Sequence, residues 1–184
     1  MIRNVLAILF FFIFTNYTLA KDDVMIMKLK NGKVKIELFK DVAPKHVERI
    51  VTLANEKKFD GVVFHRVIEG FMAQTGDVKF GNSNSENYNP KLAGTGGSEY
   101  PDLKAEFSNA NHERGTLSMA RSNDPNSANS QFFICFEPAS HLDRQYTVFG
   151  KVIEGMEFVD LIKRGDGANG KVSKPDKIIS LTIK

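Results

Sequence analysis

Hydrophobic and polar residues alternate with a period of two where the body of the chain begins. Met25, Met27 and Leu29 take turns with Ile26, Lys28 and Lys30, and Val34, Ile36 and Leu38 take turns with Lys35 and Glu37. That is the pattern of half-buried strands. Asn31-Gly32 between the two runs predicts a hairpin turn with both of its central residues at positive φ. The period then changes. Pro44 suits a first helical turn, and Val47, Ile50, Val51 and Ala54 fall at helical spacing, which gives one apolar face ending before Phe59-Asp60-Gly61. Short strands are predicted at 62–68, 71–74, 116–120, 131–136, 147–152 and 177–183. A second helix is predicted over 156–164, with Met156, Val159 and Ile162 on one face, basic residues in its last turn and Gly165 as its stop. Residues 78–98 break the pattern with Asn82, Asn84, Asn87, Asn89 and the glycines 81, 94, 96 and 97, a long polar loop of the kind that usually carries function or moves. Many short strands with two helices predict a mainly β protein, a closed antiparallel barrel with helices over its ends.

The first 20 residues differ from the rest. Arg3, an unbroken apolar run from Val5 to Phe14, and the small residues Thr18 and Ala20 have the layout of a secretory signal peptide cut after Ala20. Ten apolar residues are short of the ~20 that a membrane-spanning helix needs. The chain therefore divides into a signal peptide, 1–20, and a single domain, 21–184. A periplasmic or secreted location is expected, with membrane attachment only if the signal is retained. The charge is nearly balanced, with 25 basic and 22 acidic residues, which argues against nucleic-acid binding. The lone Cys135 lies in an apolar run and reads as core rather than as a nucleophile. His46, His65, His112 and His141 show no metal-ligand spacing, and Gly94-Thr95-Gly96-Gly97 lacks the Lys-Ser/Thr of a phosphate loop. No cofactor is expected.

Three runs carry the chemistry. The first extends from Phe64-His65-Arg66 to Gly70-Phe71-Met72-Ala73-Gln74, the second from Ser118-Met119-Ala120-Arg121 to Gln131-Phe132-Phe133, and the third from His141-Leu142-Asp143 to Tyr146 and Gly150. Taken singly, an Arg on a strand is usually a solvated residue, and Phe71, Met72, Phe133 and Leu142 would be ordinary core. Together, in this order and spacing, the runs resemble the cyclophilins, and the resemblance extends over essentially all of the chain after residue 20.

The resemblance implies an eight-stranded antiparallel barrel capped by two helices and an isomerase that accelerates rotation about X-Pro peptide bonds. Its partners would be unfolded or flexible proline-containing polypeptides, and a monomer is expected. Arg66 matches the catalytic arginine. Phe71, Met72, Phe133 and Leu142 match the pocket for the proline ring, Gln74 and Gln131 match groups that hold the substrate backbone, and Ala120 and Arg121 match the segment beside which the peptide lies. His141 and Tyr146 stand at the groove's edge. His141 replaces an aromatic residue common there, from which weak cyclosporin binding is expected. The 78–93 loop borders the groove.

Overall fold

The computed structural model describes residues 24–184, so the expected signal peptide lies outside the described residues. In chain order the elements are β1 (Val24–Lys28), β2 (Lys33–Leu38), α1 (Pro44–Asn55), β3 (Arg66–Ile68), β4 (Met72–Thr75), β5 (Thr116–Met119), β6 (Phe132–Cys135), β7 (Val148–Glu154), α2 (Met156–Asp160) and β8 (Ser180–Ile183). The strands form one eight-stranded sheet in the order β3-β4-β6-β5-β7-β2-β1-β8, and every ladder is antiparallel.

The expected closed barrel is corrected to an open, curled sheet. The ladders end at β3 and β8, which do not pair with each other. Residues 171–178 run beside 61–66 instead, joined by single bridges (Val63 with Lys177, Arg66 with Lys171) and by separate bonds such as Phe64 N–H to the Asp176 carbonyl (2.9 Å). Pro175 has no N–H to give within this stretch, and β3 is only three residues long, so a continuous ladder does not form.

The predicted alternation sets the core. Met25, Met27, Val34, Ile36 and Leu38 are buried, joined on the inner face by Val67, Ala73, Phe132, Ile134 and Phe149. The hairpin turn falls one residue earlier than expected: Leu29 N–H donates to the Gly32 carbonyl (2.8 Å), and neither Asn31 nor Gly32 has positive φ. Gly32 serves a different need, since a Cβ there would lie 2.4 Å from the Phe158 ring.

Helix α1 buries His46, Val47, Ile50, Leu53 and Ala54, while Val51 is only half-buried, so its inner face is rotated from the expected one. Pro44 sits in its first turn as predicted, but Ala43 offers no side-chain cap. Glu106 supplies the cap from a distant loop, accepting the Lys45 and His46 N–H groups at 3.1 Å. Helix α2 stops at Asp160 rather than 164. Arg164 Nη1 takes the Asp160 and Ile162 carbonyls (2.8 and 2.6 Å), leaving Ile162 buried just beyond the helix. No helix among the described residues is long and apolar enough to cross a membrane.

Candidate active site

The outer face of β3, β4 and β6 carries a second, smaller apolar cluster. Because side chains alternate across a strand, Ile68, Met72, Phe133 and Cys135 leave the main core and gather with Phe71, Ala120, Ala139, Leu142 and Tyr146. Register aligns the site in rows. Arg66 lies opposite Gln74, Gln74 opposite Phe133, and Phe133 opposite Ser118, so one row crosses β3, β4, β6 and β5. Leu142 comes from a short 3-10 turn, Ser140–Leu142, whose carbonyl bonds the Gln145 N–H at 3.0 Å.

These residues enclose a pocket of about 310 Å³ lined by Arg66, Phe71, Met72, Gln74, Ala120, Arg121, Phe133, Leu142 and Tyr146. Met72, Phe133 and Leu142 are buried, whereas Arg66, Phe71 and Tyr146 are half-buried at its rim. The Tyr146 ring meets Phe133 edge-on at 6.0 Å, and the Arg121 guanidinium lies 4.3 Å from the Tyr146 ring centre. Arg121 is held by its own chain, through Nε and Nη2 to the Gln145 carbonyl and Nη1 to the Ser122 carbonyl.

Arg66 is gripped on one side and open on the other. Its Nε–H donates to the Asn169 carbonyl (2.9 Å) and its Nη1 to Gln74 Oε1 (3.2 Å), while Nη2 makes no hydrogen bond among the described residues. Gln74 Nε2 passes the chain on to Gln131 Oε1 (3.0 Å), and Gln131 Nε2 donates to the Gly94 and Gly96 carbonyls (3.0 and 2.7 Å). Partial burial pulls the Arg66 pKa down from its ordinary 12.5, against the pull of Tyr146, but a guanidinium starting so high keeps its charge at neutral pH.

Gln131 lines an adjoining cavity of about 440 Å³ that shares Gln74, Ala120 and Arg121 with the first. Its other walls, among them Gly96, Ser98, Asp102 and Asn129, were not read as site residues in the sequence. Of the site residues expected there, His141 alone lines neither pocket. It is exposed and packs outside Phe71, with ring centres 5.4 Å apart. Asn169 was also missed. It acts through a backbone carbonyl from a left-handed turn (φ 56°), and only the Asn-Gly pair at 169–170 marks that turn in the sequence.

The long loop is anchored rather than loose. The buried Asp77 accepts Lys79 and Phe80 N–H on Oδ1 and Gly94 and Gly96 N–H on Oδ2, all at 2.8–3.0 Å. The loop asparagines act as side-chain acceptors, Asn82 for Asn84 N–H and Asn89 for Lys91 N–H, and none of them has positive φ.

Comparison with known proteins identifies the family. Residues 24–183 match the family model described as cyclophilin type peptidyl-prolyl cis-trans isomerase. A probable peptidyl-prolyl cis-trans isomerase of Brucella suis is 57% identical over 164 residues, covering 89% of this chain and 83% of its own. A peptidyl-prolyl cis-trans isomerase of Helicobacter pylori is 40% identical, covering 85% of this chain and 91% of its own. The crystal structure of a Cryptosporidium parvum cyclophilin type peptidyl-prolyl cis-trans isomerase in the presence of the dipeptide Ala-Pro superposes with a TM-score of 0.75 at 27% identity, covering 88% of this chain and 98% of that one. The chain belongs to the cyclophilin family and is a peptidyl-prolyl cis–trans isomerase.

Proposed function

We propose that Arg66 is the catalytic group and that Phe71, Met72, Phe133 and Leu142 receive the proline ring of an X-Pro segment in a flexible or unfolded polypeptide. The observation that carries this is a guanidinium held at two of its nitrogens and open at the third, on the rim of an apolar pocket.

Rotation about X-Pro is slow because amide resonance sets a barrier of ~18–20 kcal/mol. Twisting the bond breaks that resonance and returns the lone pair to the prolyl nitrogen. A fixed N–H donor aimed at that nitrogen binds the twisted amide better than the planar one, and this difference lowers the barrier. The pocket holds the ring while the preceding carbonyl turns. Gln74 and Gln131 face the peptide backbone, and Ala120 with Arg121 forms the strip along which it lies. No nucleophile and no metal enters the reaction.

Cleavage after Ala20 would deliver residues 21–184 to the periplasm or the exterior, where the enzyme would act as a monomer on exported chains. N-terminal sequencing of the exported protein is the check, with Lys21 expected first. The exposed His141 at the pocket's outer edge supports weak cyclosporin binding, because an imidazole offers less apolar area than a larger aromatic ring.

The decisive experiment is an isomerase assay on residues 21–184 with an Ala-Pro peptide. Arg66→Ala is expected to fold and to lose ~10²-fold or more in kcat/KM, the scale of removing one preorganised donor. Arg66→Lys should recover little, since an ammonium lacks the planar fork. Turnover near wild type in a folded Arg66→Ala protein would overturn the assignment.

A further inference from the structure

A buried polar group lies behind the pocket and plays no part in the chemistry above. His112 is 1% exposed. Its ring stacks on Phe133, with centres 6.1 Å apart and planes 14° from parallel. Its Nδ1 lies 2.9 Å from Asp143 Oδ1, and its backbone N–H donates to the same oxygen at 2.8 Å. Its Nε2 lies 3.0 Å from Ser118 Oγ, and the Thr147 carbonyl lies 3.0 Å from the same oxygen, so the single Ser118 hydroxyl proton points to one or the other. The His112 carbonyl accepts the Ala139 N–H at 2.7 Å.

Ser118, His112 and Asp143 thus stand in the hydrogen-bond order of a hydrolase triad. Ser118 is fully buried under the sheet face, however, so no substrate carbonyl can reach its oxygen. The position of the array assigns it a different task. The row Arg66–Gln74–Phe133–Ser118 ends at the residue that His112 bonds, and the ring below the pocket floor is His112's own. Asp143 directly follows Leu142, which lines the same pocket as Phe133.

We propose that His112 is a positioning residue for the proline-ring pocket, fixing the Phe133 floor by stacking and the Leu142 wall through Asp143, with Ser118 as its anchor in β5. The proposal rests on the ring-pocket reading above. Leu142 is carried by a single 3-10 turn, closed by the Leu142 N–H to the Ala139 carbonyl (2.9 Å) and the Asp143 N–H to the Ser140 carbonyl (3.1 Å). Two bonds from His112 to Asp143 and one from Ala139 to His112 bracket that turn at both ends. A side chain held in this way keeps the wall at a fixed distance from the floor, which is what a snug fit to a five-membered ring requires.

The expected kinetic signature follows from where the pocket acts. The ring is gripped alike in the planar and twisted states, so a loosened pocket raises KM and leaves kcat nearly unchanged. Loss of Arg66 does the reverse.

The test uses residues 21–184, an Ala-Pro peptide and three variants assayed beside Arg66→Ala, each at a temperature well below its own unfolding midpoint. His112→Phe keeps the stack on Phe133 and removes both ring-nitrogen bonds; a KM increase of about 5- to 10-fold with kcat within about twofold is expected. Asp143→Ala should act in the same direction. Asp143→Asn keeps an accepting oxygen and should lose less than Asp143→Ala. If His112→Phe does not fold, the Asp143 pair carries the test. A lower unfolding midpoint with unchanged KM in His112→Phe and Asp143→Ala would show a structural role only and overturn the inference. Full turnover in Arg66→Ala would instead sink the assignment of the site on which the inference rests.

Discussion

His65 sits beside Arg66 in the chain but faces the other way, into the protein, at 7% exposure. Neither ring nitrogen finds a partner at good hydrogen-bond geometry among the described residues, and Gly94 packs so close that a Cβ there would be 2.7 Å from the ring. Burial pulls its pKa from the ordinary 6.5 to about 4, against a weaker opposite pull from Asp77. The folded state thus prefers neutral His65, and the unfolded state binds the proton first as pH falls. This stabilisation is complete above pH 6.5 and is lost progressively down to about pH 4, some 3 kcal/mol in order of magnitude. His46 and His112 shift in the same direction, again chiefly through burial, and add to the acid sensitivity. Urea unfolding at pH 7 and 4.5 should therefore show a smaller pH-dependent loss in His65→Gln than in wild type, whatever the baseline stability of the variant. Equal losses in the two proteins would refute the assignment. The same scale shows what the sequence could and could not reveal. Arg66, Phe71, Gln74 and Phe133, which the fold brings to one pocket, were picked out as candidates because three runs kept their order and spacing. The Asn169 carbonyl that steadies Arg66 lies 103 residues away and is a backbone atom, so no side-chain pattern announces it. His112 was read only as lacking metal-ligand spacing and Asp143 only as part of the third run, because the contacts between them exist only after the chain has folded around them.

At the scale of elements, pattern predicted existence better than limits. The opening strands and α1 came out where the alternation and helical spacing put them. Their details were set by contacts that local sequence does not encode: Glu106 caps α1 from 61 residues away, and Phe158 decides why position 32 is Gly. The 78–98 loop is the clearest case. Its composition pointed to a segment that carries function or moves, and Asp77 gathers four of its N–H groups onto one carboxylate. The consequence reaches the candidate active site, because the Gly94 and Gly96 carbonyls hold Gln131, Gln131 holds Gln74, and Gln74 holds Arg66. Asp77→Asn should break this arrangement, since one amide nitrogen would face two N–H donors. Losing two bonds to a charged acceptor inside the protein should cost on the order of 3 kcal/mol. We expect a lower unfolding midpoint, loss of hydrogen-exchange protection at the amides of Asp77's ligands Gly94 and Gly96, and a several-fold fall in kcat/KM. Unchanged protection at those two amides would show that Asp77 does not hold the loop.

The whole molecule is held without covalent staples, and Cys135 gives access to how it opens. The chain has one cysteine, so no internal disulfide can form, and the sheet and its core must supply the stability. Cys135 is fully buried on β6, which pairs with β4 on one side and β5 on the other, and it packs in the apolar cluster that forms the candidate pocket. Burial, with a smaller push from Asp143, raises its thiol pKa to about 12. The reactive species is the thiolate, so in the native state the residue is both unreachable and almost entirely protonated near neutral pH. Exposure requires parting β6 from its neighbours, and β6 sits inside the sheet order rather than at an edge. That opening should belong to the global unfolding event rather than to local fraying. Labelling with a small aromatic disulfide reagent is therefore expected to be very slow in native buffer. Across a urea series it should rise with the same midpoint as loss of circular dichroism. Prolonged oxidation of the native protein should give no disulfide-linked dimer. Rapid labelling without denaturant, or a labelling midpoint well below that of global unfolding, would show that the sheet opens locally at β6, beside the pocket proposed to hold the proline ring.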